Sequence, residues 1–225
     1  MPLRKIVETF YPRFCLRCEK EGSLWCDSCD NVWKINPQAA ACGFCGSLGS
    51  FRSCSGCKEC VYLDGLSFVG SYADPIIRKM IAHWKYYGDL STEHVFKSWL
   101  QRDASRVCPP AYPFVVSFLP LHIFKKRERG FDQAEEVSRL VSNIYGLPQA
   151  SLLKRTKWTR SQAPLSSTER KVGVLDGVFD VVGSVPSTVL LCDDVFTSGA
   201  TMDAAAKCLK DNGAKVVWGF TLAKG

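Results

Sequence analysis

No stretch of the chain approaches the ~20 consecutive apolar residues of a membrane-spanning helix, so an integral helical membrane protein is not expected. The opening residues, MPLRKIVETFYPRF, carry basic side chains but no continuous apolar run; no secretory leader is expected, and the chain reads as cytoplasmic. Histidine is scarce at three residues, and neither His83 nor His94 has a partner at metal-ligand spacing, so both read as surface or edge-of-core residues. No segment can be named that would read a purine or a pyrimidine. What remains is an ordinary soluble composition, with 46% hydrophobic and 23% charged residues over 225 positions, enough for one domain plus an accessory module.

Cysteine, by contrast, is abundant. Nine of the twelve cysteines fall between Cys15 and Cys60, in pairs two residues apart. Cys15-x2-Cys18 and Cys26-x2-Cys29 are separated by seven residues, enough for a turn that closes four thiolates on one tetrahedral Zn²⁺. Disulfides are disfavoured in a reducing compartment, and a segment this short lacks a core of its own, so its folding should depend on metal. Cys42-x2-Cys45 with Cys54, Cys57 and Cys60 repeats the arrangement with one cysteine too many. Spacing allows a second site in which Cys42 and Cys45 are joined either by Cys54 and Cys57, with Cys60 free, or by Cys57 and Cys60, and so one or two zinc ions per chain. Cys108, Cys192 and Cys208 are scattered and read as packing residues.

The stretch Val189 to Thr201, VLLCDDVFTSGAT, places two adjacent carboxylates after a short apolar run and follows them with small hydroxylic residues. Val189–Cys192 predicts a buried parallel strand, 200–212 a helix ending near Gly213, and 216–222 a second strand. In such a strand–loop–helix–strand unit the strand's carboxyl end and the helix's first turn face one crevice. Backbone N–H groups of Thr197, Ser198, Gly199, Ala200 and Thr201, with the hydroxyls and the helix dipole, suit a phosphate. Asp193 and Asp194 would repel that phosphate; they suit sugar hydroxyls, or a hydrated Mg²⁺ beside a diphosphate. Together the two halves describe a ribose 5-phosphate site.

Between these landmarks, 66–72 predicts a strand, Asp74-Pro75 opens an amphipathic helix through Trp84, and 92–102 predicts another helix. Residues 114–118 predict a strand, then LPLH leads through the basic loop Lys125-Lys-Arg-Glu-Arg-Gly-Phe-Asp-Gln133 into a helix over 134–143. Arg129 and Gly130 are the best candidates in that loop for holding an anion, beside Lys125, Lys126 and Arg127. From Phe124 to Lys171 the chain carries a net +6 of its total +7, a field for polyphosphate or a nucleic-acid backbone. Ala163–Thr168 is polar and long enough for a lid over the crevice. Trp25, Trp33 and Lys34, with Phe51, Arg17, Lys20 and Arg52 nearby, combine flat rings with cations as single-stranded nucleic acid requires, or else bury the rings as a substitute core.

VLLCDDVFTSGAT resembles the signature of type I phosphoribosyltransferases, with no departure across its thirteen residues. The resemblance implies that Asp193 and Asp194 hold the ribose hydroxyls of phosphoribosyl diphosphate (PRPP), and that Thr197–Thr201 hold its 5-phosphate. The wider order of paired CxxC, KYYGD, LPLH, RERGFDQA, KRTKWTRSQ, Arg170 and the acidic loop resembles the ComF family of bacteria, from about Cys15 onward. That likeness implies an N-terminal zinc-ribbon module, residues 1–63, and a phosphoribosyltransferase-like α/β domain, residues 64–225, with a mainly parallel sheet flanked by helices. It favours Cys42, Cys45, Cys54 and Cys57 as the second ligand set. It further implies Zn and Mg as metals, a role in natural competence and DNA uptake, PRPP and single-stranded DNA as ligands, and a competence helicase-type partner. Catalytic roles carry over to Asp193, Asp194 and Arg129, and no general base is assigned. Two departures bear on catalysis: Asp132 stands where the family has Asn, and Tyr87 where it has Arg. An active transferase in nucleotide metabolism and a non-catalytic zinc adaptor remain as alternatives.

Overall fold

The structure is a computed structural model that describes residues 12–33, 41–87, 90–107, 109, 113–121, 131–156 and 177–225. Four parallel strands form the central sheet: β1 (Gly65–Ser71), β2 (Val115–Phe118), β5 (Thr188–Phe196) and β6 (Val216–Lys224), in the spatial order β1-β6-β5-β2. Helices α3 (Pro75–Tyr87) and α4 (Leu90–Val107) join β1 to β2; α5 (Gln133–Tyr145) follows β2, and α6 (Ala200–Asp211) joins β5 to β6. A short antiparallel hairpin, β3 (Leu153–Arg155) with β4 (Phe179–Val181), stands beside the sheet. Two short helices, α1 (Asp27–Val32) and α2 (Ser55–Lys58), lie in the cysteine-rich segment.

The sheet is buried on both faces, which is why its strands read as continuous apolar runs. Along β5, Leu190 and Cys192 enter one core while Val189 and Leu191 enter the other. The first core takes Ile77, Met80, Ile81 and Trp84 of α3, Phe96 and Trp99 of α4, and Val137, Leu140 and Val141 of α5. The second takes Met202, Ala205, Ala206 and Leu209 of α6 together with Phe179 of the hairpin. Sequence punctuation places the helix ends: Asp74 accepts from the Ile76 amide at 2.8 Å ahead of α3, Asp132 caps α5, and Gly146, at φ 64°, closes it in the left-handed region.

Three details differ from the pattern reading. Helix α4 begins at Leu90 and continues to Val107 through a kink at Asp103 (φ −115°, ψ 22°). Strand β5 runs on past Cys192, because Asp193, Val195 and Phe196 pair with Thr221, Ala223 and Lys224 of β6. The β3–β4 hairpin, with three residues in each strand, is too short to show periodicity and was not expected.

The cysteine-rich segment contributes to both cores. Leu24 and Trp33 lie in the first, whereas Leu63 lies in the second with Phe44 and Phe51 packed against it. Its exit is also joined to the sheet, since Arg52 bridges Gly65 and the Ser53 amide donates to Asp64 O at 2.9 Å. The cysteine-rich segment and the sheet domain thus share buried side chains.

Candidate functional site

Two groups of four thiols converge. The Sγ atoms of Cys15, Cys18, Cys26 and Cys29 lie within 4.8 Å of one another, as do those of Cys42, Cys45, Cys54 and Cys57. All eight are free thiols. Zn–S bonds of about 2.3 Å in a tetrahedron put sulfurs about 3.8 Å apart; Cys18–Cys26 and Cys45–Cys54 stand at 3.6 Å. Cys60 is exposed and outside the second group, which removes the alternative pairing of Cys57 with Cys60.

The chemistry of the donors asks for a cation. Burial pushes the Cys15 thiol up, but the amides of Cys18, Cys26 and Arg17 outweigh it and hold it at about 6. The Ser47 hydroxyl and amide bring Cys45 down to about 6. Burial and the neighbouring sulfurs push Cys29 up to about 12 and Cys57 higher still. Each group thus favours partial ionisation alone; a divalent ion relieves the repulsion among four thiolates. The two clusters could bind zinc, and they fit the zinc-ribbon form.

The second site lies at the carboxyl end of β5. Asp193 and Asp194 are half-buried there, and Asp193 Oδ1 accepts from the Asp194 amide at 2.8 Å. Burial first, and then the Asp194 carboxylate, raise the Asp193 carboxyl well above its ordinary range. Lys85, in the last turn of α3, answers the charge by reaching Asp194 Oδ2 at 2.6 Å. After the strand, Thr197 and Ser198 are exposed and Gly199 caps α6 in the left-handed region at φ 78°. A helix start leaves amides without intrahelical acceptors, and here the Asp193 carboxylate and the start of α6 line one hollow, with residues 195–202 in its wall.

Two contributors to this crevice were not singled out as site residues from sequence. Lys85 belongs to the KYYGD landmark, but only the α3–β5 packing brings it to Asp194. Asp132 is buried and bridges two backbone donors, accepting from Leu121 N at 3.0 Å and Ala134 N at 3.1 Å. A carboxylate serves both amides, whereas an asparagine offers one acceptor oxygen, which is a local reason for Asp at this position. Asp132 also adds to the charge that raises Asp193.

The two tryptophans named for nucleic acid pack against one another and against α4. Trp33 is buried and stacks on Trp99 of α4 with ring centroids 3.6 Å apart, and Trp25 meets Trp99 edge-on at 5.2 Å. Trp33 gives a ring face to Trp99 and Trp25, half-buried, makes edge contacts, so these rings pack as a substitute for local core. Arg17, Lys20 and Arg52 are exposed. Lys34, Arg129, Gly130, Cys108 and the 163–168 stretch lie outside the described residues.

No protein-family model matches the chain. Among curated proteins it is 28% identical over 230 residues to competence protein F of Haemophilus influenzae, covering 95% of this chain and 99% of that protein. It is 31% identical over 159 residues to competence protein ComFC of Bacillus subtilis, covering 69% of this chain and 62% of that protein. With ComFC of Streptococcus pneumoniae the identity is 28% over 148 residues, covering 66% and 63%. The chain therefore spans nearly all of the first relative and just under two thirds of the two ComFC proteins. These similarities, with the two four-cysteine groups and a mainly parallel sheet flanked by helices, support a place for the chain in the ComF family.

Proposed function

We propose that the chain binds PRPP with Mg²⁺ at the carboxyl end of β5 and acts in natural competence, handling single-stranded DNA. One observation carries the ligand reading: the Asp193 carboxylate and the start of α6 line one hollow, with charges suited to opposite halves of a ribose 5-phosphate. In this reading Asp193 and Asp194 accept from the ribose hydroxyls. Amides and hydroxyls of residues 197–201 donate to the 5-phosphate, and Lys85 keeps Asp194 neutralised until the sugar arrives. Arg129 and Gly130 would face the diphosphate, and Mg²⁺ would neutralise it as a leaving group. The role in competence rests on the relatives, each of them a competence protein. With Trp25 and Trp33 committed to packing, the basic 124–171 segment is the better candidate for the DNA backbone, where DNA and PRPP would compete.

A thermal-shift series with PRPP and Mg²⁺, free nucleobases and short single strands tests the reading. A ligand at one hundred times its Kd stabilises by about 2.7 kcal/mol, which for a chain of this size is about 5–10 °C. The wild-type chain should show that shift with PRPP, and Asp194→Ala should lose it while still unfolding cooperatively. An unchanged PRPP shift in Asp194→Ala would sink the ribose assignment.

A further inference from the structure

The loop proposed to hold the phosphate is not shaped by the sheet alone. Gly199 is buried at φ 78°, and a Cβ there would fall 2.4 Å from Phe196 Cζ and 2.8 Å from Phe44 Cε1. Phe44 sits between Cys42 and Cys45 in the turn of the second thiol group, and its ring meets that of Phe196 edge-on at 5.4 Å. The other end of the same metal segment grips the helix behind the loop. Asp203, in the first turn of α6, accepts from the amides of Tyr62 and Leu63 at 2.7 and 2.9 Å, and Lys207 Nζ lies 5.7 Å from the Tyr62 ring centroid. The Asp203 amide in turn donates to Gly199 O at 2.8 Å. Thus the entry turn of the second four-cysteine segment touches residue 199, and its exit touches residue 203.

A four-residue turn between two cysteines has little to fix it except metal, because so short a segment cannot bury a core. The position of the Phe44 ring then depends on the ion held by Cys42, Cys45, Cys54 and Cys57, and the Gly199 backbone packs directly on that ring. We propose that Phe44 is a positioning residue for the 197–201 loop, coupling metal occupancy of the second four-cysteine site to anion binding at the start of α6. The coupling is reciprocal: whatever metal does for the loop's ligand, that ligand does for metal retention. The anion half of this proposal rests on the PRPP reading, whereas the positioning half does not.

The test uses the full chain with zinc bound, as wild type, Phe44→Ala and Phe44→Leu. Three quantities are measured: zinc content, hydrogen exchange of the amides from Ala200 to Asp203 without ligand, and PRPP affinity with Mg²⁺. Phe44→Ala should keep both metals, exchange about three- to tenfold faster over those amides, and bind PRPP more weakly by a similar factor, the range expected for one lost aromatic pair. Phe44→Leu should recover part of both losses by restoring apolar volume. Unchanged exchange and unchanged affinity in a fully metallated Phe44→Ala chain overturn the proposal. If the alanine variant fails to hold zinc, Phe44→Leu decides by the same readouts, and wild-type exchange and affinity in it overturn the proposal. A wild-type chain without PRPP affinity whose loop still loses protection on Phe44→Ala removes the ligand reading and supports the positioning role.

Discussion

Asp30→Ala should loosen the first metal lobe from helix α4, and the cost can be worked from the contacts of one carboxylate. Asp30 Oδ1 accepts from the indole N–H groups of Trp25 at 2.8 Å and Trp99 at 3.1 Å. Its Oδ2 pairs with Arg102 Nη1 at 3.0 Å, and Arg102 Nη2 donates to Trp33 O at 2.9 Å. The ion pair is partly exposed and is worth about 1 kcal/mol at most. Trp99 is fully buried, so removing its acceptor costs about 1–3 kcal/mol. The sum, about 1–4 kcal/mol, corresponds to a fall in Tm of about 2–16 °C for a chain of this length. Asp30→Asn keeps an acceptor oxygen for the indoles and should lose only about 1 kcal/mol. Thermal unfolding in zinc-replete buffer, with metal content measured on each variant, checks this. An Asp30→Ala chain that retains zinc and melts within about 1 °C of wild type would refute the reasoning, since the buried indole would then have no need of its acceptor.

Two further outcomes follow from the same geometry. Metal analysis of protein purified without chelator should return two zinc ions per chain, and chelation should lower the midpoint of the whole transition, because Trp33 and Leu63 carry the metal lobes into both cores; a sheet domain that melts unchanged after both ions are lost would contradict the shared cores. Asp193→Asn should stabilise the ligand-free chain at neutral pH. Burial raises the folded carboxyl above its unfolded value, so the stability this group contributes is present below the ordinary carboxylate range and lost as pH rises through the folded value. The variant's advantage should therefore shrink on acidification while PRPP binding is lost, and a variant less stable than wild type near neutrality would reverse the sign.

Much of this architecture is local and was legible as pattern. Apolar runs at 189–192 and 216–222 mark strands because both faces of the sheet are covered. Pro75 and Gly213 mark helix ends because capping is settled within a few residues. The CxxC pairs bring thiols together by turn geometry, so both four-thiol groups were readable from spacing, with the choice between the Cys54–Cys57 and Cys57–Cys60 pairs open until the fold placed Cys60 outside. The acidic pair and the loop after it were readable for the same reason: strand, loop and helix start are consecutive in the chain.

Contacts between distant segments were not readable, because neither partner carries a mark of the other. Lys85 and Asp194 lie 109 positions apart in sequence and meet only where α3 ends beside β5. Trp25 and Trp33 look equally suited to a nucleic-acid surface or a core, and only the fold brings Trp99 against them, stacked on Trp33 and edge-on to Trp25. Phe44 reads as filler in a metal knuckle until Gly199 is seen packed against it. By itself the sequence determined the elements, the thiol groups and the acidic loop, since each depends on residues within a turn or two of one another. Only the tertiary structure decided which aromatics are spent on packing and which cation faces the carboxylates, since burial and long-range pairing belong to the whole fold.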